Sequence, residues 1–162
     1  MVLPTRTFRD RETVTVGSTE VELTHCGIHS DDATVLWRAE DALLFAGDTM
    51  EDTVTYVTEP DELSTHVAEL ERLRELGPRL ILPNHGDPDV IAAGGYGPGL
   101  IDATQEYVGM LIRLRDEPEL ERTPLRDLVA RPLADGAITW FAPYEAVHRE
   151  NVDVVLGRRE PF

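Results

Sequence analysis

The chain has 162 residues, 41% of them hydrophobic, enough for the core of one domain spanning residues 1–162 and too many for a disordered chain. Acidic residues outnumber basic ones by 31 to 15, and the formal net charge is −16, which argues against a phosphate backbone, and so against nucleic acid, as a partner. The excess charge reads either as plain solubility or as carboxylates gathered for a divalent cation.

In chain order, Met1-Val2-Leu3-Pro4 is too short and too soon followed by charge to be a signal peptide. Thr13-Val14-Thr15-Val16 predicts a strand, Gly17-Ser18 a turn, and the alternating Glu20–His25 the second strand of a hairpin. Ala33–Trp37 and Leu43–Ala46 read as further strands, joined by a tight polar turn at Arg38-Ala39-Glu40-Asp41. Thr53–Val57 reads as another strand. Pro60 suits a first helical position, with Leu63, Val67, Leu70 and Leu73 at helical spacing and a stop at Gly77-Pro78. Arg79–Leu82 follows as a strand, so a β-α-β crossover packs here on a sheet. Gly94–Gly99 is a loop, Leu100–Leu114 an amphipathic helix, Pro124 the start of a shorter helix and Ala146–Leu156 a last one. No apolar run approaches the ~18 residues that a membrane span needs.

Three of these strands share a feature. Each is followed within a few residues by a side chain able to bind a metal: His29 after the hairpin, Asp48 after Leu43–Ala46, and His85 after Arg79–Leu82. If the strands run in the same sense, their ends gather along one sheet edge, where sites are commonly built. Glycine flanks each candidate, at Gly27, Gly47 and Gly86. Imidazole and carboxylate suit zinc, and also iron or manganese. The bland alternatives are a hydrogen-bonded or surface histidine and an ordinary Gly-Asp turn. Cys26, the one cysteine, excludes an internal disulfide and fits a reducing, cytoplasmic setting; its thiol is either a small buried hydrophobe or a reactive or ligating group.

The segments Gly27-Ile28-His29-Ser30-Asp31-Asp32, Leu43-Leu44-Phe45-Ala46-Gly47-Asp48 and Leu80-Ile81-Leu82-Pro83-Asn84-His85-Gly86 together resemble, in order and separation, three motifs of the metallo-β-lactamase-fold hydrolases. The likeness covers roughly residues 4–115. It implies an α/β fold, the C-terminal half of an αββα sandwich, with one mixed sheet and flanking helices. It implies that His29 binds a first metal, that Asp48 bridges two metals or binds the second and is the catalytic carboxylate, and that His85 binds the second. Two zinc ions would occupy the complete fold, with iron or manganese as alternatives. Asn84 stands where the family has glycine, a place where asparagine tolerates unusual backbone angles. Ile28 also replaces a glycine, which requires ordinary angles there.

The family's H-x-H-x-D-H motif is absent, since no two of His25, His29, His66, His85 and His148 are one residue apart. The expectation is therefore a half-site, inactive or nearly so by itself. Completed by an N-terminal half, it would be a metal-dependent hydrolase of a small-molecule ester or thioester, acting through metal-activated hydroxide. Half a sandwich also leaves one sheet face bare, which implies either that the sequence is a truncated piece of an ordinary metal-dependent hydrolase, the favoured reading, or that the chain pairs with a separate N-terminal half or with a second copy. The alternative is a non-catalytic dimerising or binding module that keeps a fragment of the fold. Supporting candidates are His25 and Asp31, which with Asp32 could steady His29 or simply form an edge and a solvated turn. His66 reads as solvated. Tyr144, His148 and Asn151 read as helix surface or as substrate-facing.

Overall fold

The computed structural model describes residues 5–161; the reading of Met1–Pro4 falls outside them. Five strands, β1 (Arg11–Val16), β2 (Thr19–His25), β3 (Thr34–Arg38), β4 (Leu43–Gly47) and β5 (Leu80–Pro83), form one sheet in sequence order. β1 to β4 pair antiparallel, and β4 and β5 pair parallel. The β3–β4 turn is held by Arg38, whose Nε and Nη2 donate to the two carboxylate oxygens of Asp41 at 2.8 and 2.6 Å.

The parallel pair needs a crossover, and α1 (Leu63–Glu75) supplies it. It begins after Asp61 and Glu62 rather than at Pro60, and it stops as expected at Gly77, whose φ is +70°. Its inward face is Leu63, His66, Leu70 and Leu73; Val67 is only partly buried. α3 (Gly99–Arg113) packs against α1 with Leu100, Ile101, Thr104, Tyr107, Val108 and Leu111 turned inward. Between them lies α2 (Pro88–Ala92), unexpected from periodicity, capped by Asp87 accepting from the amides of Asp89 and Val90. A 3₁₀ turn (Pro118–Arg122), α4 (Leu125–Leu128), α5 (Ala130–Ala134) and α6 (Tyr144–Val155) complete the chain.

The strand register separates two faces. Val35, Leu44, Ala46 and Ile81 are fully buried and share the core with α1 and α3. Paired side by side on the opposite face, Leu36 and Phe45 are exposed, as are Val14, Val16 and Leu80 on that face. The sheet is thus covered on one side from β3 to β5, while Arg11, Thr13 and Thr15 of β1 are exposed on that side.

Residues 53–57 are not a strand, contrary to their β-branched pattern. Their backbone polar groups are met by side chains instead of a ladder. Asn151 of α6 accepts from the Val57 amide at 2.9 Å and donates to the Thr55 carbonyl at 2.8 Å. The Thr53 hydroxyl donates to the Thr139 carbonyl and accepts from the Phe141 amide. Five consecutive residues from Glu51 to Thr55 are buried as a result.

Among the described residues, no helix is long and apolar enough to cross a membrane.

Candidate metal centre

Because β3 runs against both neighbours and β5 runs with β4, strands β2, β4 and β5 point the same way. Their C-terminal ends therefore share one sheet edge, and His29, Asp48 and His85 all follow those ends. The β4 and β5 exits are stitched together by the Asn84 amide donating to the Gly47 carbonyl at 2.9 Å.

Gly47 has φ +60°, a conformation that turns the chain sharply after β4 and that side chains resist. Asp48 then faces His85, its Oδ1 lying 3.4 Å from His85 Nε2. That is an ion-pair distance without hydrogen-bond alignment, and Asp48 Oδ1 is buried with no hydrogen-bond partner. Gly86 is required by close approach: a Cβ there would stand 2.6 Å from the Tyr96 hydroxyl. That hydroxyl accepts from the Asp87 amide and donates to Asp52, fixing the loop beyond His85.

Ile28 is buried and takes ordinary angles, and it is His29 itself that adopts φ +72°. A histidine in the left-handed region is uncommon and is kept only where the surroundings impose it. Here the His29 carbonyl accepts from the Thr58 hydroxyl at 2.6 Å. Its Nδ1 is buried with no hydrogen-bond partner. Buried polar atoms are nearly always paired, so two orphans on the predicted ligands are notable.

The donor chemistry fits a divalent metal, but the donor count does not. Among the described residues, no three His, Cys, Asp or Glu side chains are grouped closely enough to hold an ion. Catalytic zinc needs three protein ligands and an open position. His29, Asp48 and His85 lie on one edge without closing into such a set, and no catalytic step through a metal follows from this chain alone.

The remaining candidates are placed as follows. His25 Nε2 bonds the Asp31 carbonyl at 2.8 Å, closing the loop that carries His29, while the Asp31 and Asp32 side chains are exposed. Asn84 is exposed, and among the described residues only His29 and Ala42 besides glycines have positive φ, so its tolerance of unusual angles is not used. His148 is buried, not helix surface, with Nδ1 3.1 Å from the Tyr107 hydroxyl; burial lowers its pKa. Asn151 is likewise buried, in the clamp on residues 55–57. His66 is buried rather than solvated, its Nε2 3.1 Å from the Thr49 carbonyl, and desolvation lowers its pKa to about 4. Cys26 is fully buried, and desolvation with help from Glu69 raises its pKa to about 12, so it is an inert thiol.

Glu51 is the residue that the sequence did not mark. It is 2% exposed, accepts from the Tyr144 hydroxyl at 3.2 Å, and its pKa rises to about 7, chiefly through desolvation. His85 opposes that rise and Asp48 adds to it, so Glu51 lies within electrostatic reach of both. The signal that could mark it is the run Asp48-Thr49-Met50-Glu51-Asp52, in which a second and third acid follow the predicted ligand.

No family model and no curated protein sequence matches the chain. Solved structures do. A metallo-beta-lactamase from Pontibacter korlensis superposes with a TM-score of 0.51 at 19% identity, over 65% of this chain and 49% of that one. A metallo-beta-lactamase family protein from Thermus thermophilus gives a TM-score of 0.49 at 19% identity, over 87% of this chain and 46% of that one. The chain spans about half the length of these structures. With its mixed five-stranded sheet and flanking helices, the chain has the metallo-β-lactamase fold over that half.

Proposed function

We propose that His29, Asp48 and His85 are one chain's contribution to the metal centre of a hydrolase that cleaves a small-molecule ester or thioester. The observation that carries this is the pair of orphaned buried atoms, His29 Nδ1 and Asp48 Oδ1, on the edge where β2, β4 and β5 end. Zinc suits this donor chemistry best, with iron or manganese as alternatives. When bound, such an ion supplies Lewis acidity towards water and a carbonyl. Asp48 and His85 hold the β4 and β5 side of the centre, and His29 holds the β2 side from a backbone fixed by Thr58. The missing ligands come from the N-terminal half of the fold, in the same polypeptide or a separate one, or from a second copy. The bare sheet face carrying Leu36 and Phe45 supports such a partner.

The test is a Co²⁺ titration followed by visible absorption, with Zn²⁺ competition. The isolated chain is expected to bind weakly, and His29→Ala and His85→Ala should each remove the absorption band. Two tightly bound ions would overturn the incomplete-site reading. Absence of any band that depends on these histidines would overturn the metal reading itself.

A further inference from the structure

Beside His85 the surface opens into a cleft of about 360 Å³, within the size range of small-molecule sites. Its walls come from two places. Gly86, Asp87 and Pro88 lie on the β5–α2 side, and Thr139, Trp140, Phe141 and Tyr144 lie where the chain enters α6. Phe141 is 57% exposed and stands beside Trp140 and Tyr144 on the wall of the cleft. It meets Tyr144 edge to face, with ring centroids 6.1 Å apart. Trp140 already takes one cation: the exposed Arg126 guanidinium lies 5.2 Å from its ring centroid. Arg126 does not line the cleft, and neither does any other arginine; the whole chain has no lysine. Of the lining carboxylates, Asp87 lies at the start of α2 and Asp52 is buried and held by Thr139 and Tyr96, with Asp48 behind His85.

We propose that this cleft binds an organic ammonium group, seated against Trp140, Phe141 and Tyr144 and facing Asp87. Aromatic faces attract cations through the ring quadrupole, and the surrounding negative field adds to that attraction. A carboxylate or phosphate group finds no arginine among the lining residues and meets the like charge of Asp87. Acting as the substrate pocket of the hydrolase rests on the metal-centre reading, because His85 joins the two. On that footing the ester or thioester carries a cationic or alkylammonium group, and acyl chains bearing phosphate or carboxylate at that end are rejected.

The experiment titrates the full chain with benzyltrimethylammonium, benzyl alcohol and phenylacetate, following tryptophan emission. Trp140→Phe identifies the part of the signal that comes from the cleft rather than from Trp37. Benzyltrimethylammonium should quench saturably and bind about tenfold more tightly than phenylacetate, with benzyl alcohol between them. Asp87→Asn, which keeps the cap on α2, should erase most of that preference, and Phe141→Ala should weaken the cation several-fold. Equal binding of phenylacetate, no saturable quenching by any of the three, or an unchanged preference in Asp87→Asn would overturn the proposal. The Co²⁺ titration on the same protein separates the two ideas. Ammonium binding without a cobalt band leaves the cleft and removes the hydrolase, and a cobalt band without ammonium binding does the reverse.

Discussion

His66 and Glu51 are two buried titratable groups with opposite demands on pH. Burial lowers the His66 pKa to about 4, from an ordinary 6.5. The folded state therefore excludes a proton that the unfolded chain accepts. Its contribution is present above about pH 6.5 and is lost as pH falls towards 4, by about 3 kcal/mol at most. Glu51 has a raised pKa of about 7, so folding is penalised as pH rises from 4.5 through 7. The two slopes oppose each other in wild type, and variants separate them. His66→Gln, which can keep a bond to the Thr49 carbonyl, should leave the Glu51 slope unopposed, so that the variant gains stability as pH falls from 7 to 4.5. Glu51→Gln should be most stabilising above pH 7, by about 3 kcal/mol at most. Urea midpoints across pH 4 to 8 check both. Neither role was legible in the sequence. His66 sits among Thr65, Glu69 and other polar residues, and its burial comes from contact with Thr49 across the β4–α1 loop. The positions of His29, Asp48 and His85 after strand ends were legible because alternating Glu20–His25 and the apolar runs Leu43–Ala46 and Leu80–Leu82 announce the strands.

At the scale of elements, the segment 53–57 shows where pattern reading stops. Its alternating β-branched residues meet the local criteria for a strand. Whether such a run joins a sheet depends on a neighbouring edge, and here Asn151, 94 residues beyond Val57, takes the ladder's place. That long-range choice leaves no mark in the local pattern. Asn151→Ala would leave the Val57 amide and the Thr55 carbonyl buried and unpaired, and would remove the amide that donates to the Tyr107 hydroxyl. The expected cost is about 3 kcal/mol, read as a lower urea midpoint with an unchanged slope. The β1–β2 hairpin, the Arg38–Asp41 turn, the α1 stop at Gly77 and the α3 stripe each carry a local physical cause, so the sequence alone places them. α2 escapes because five residues are too few for a helical period, although Asp87-Pro88 is a good start signal.

At the scale of the molecule, one face of the sheet is covered by helices from β3 to β5, and the other presents Leu36, Phe45 and Leu80, each 37% exposed. An apolar surface of this kind binds hydrophobic dye and drives self-association. Phe45→Ser should lower dye fluorescence and shift the sedimentation profile towards monomer, with the fold retained because the side chain points away from the core. Unchanged sedimentation would show that this face is not where copies or partners meet.

The parallel pairing of β4 with β5 has a kinetic consequence. β1 to β4 are joined by connections of at most eight residues, so their pairings close cheaply and early. β5 can join only after α1 has docked and the crossover has closed, a more distant contact and a slower one. Asp48 and His85 stand on either side of that last seam. Their approach is therefore a late event in folding, and a cobalt spectrum that develops during refolding would time the closure of the crossover rather than the formation of the sheet.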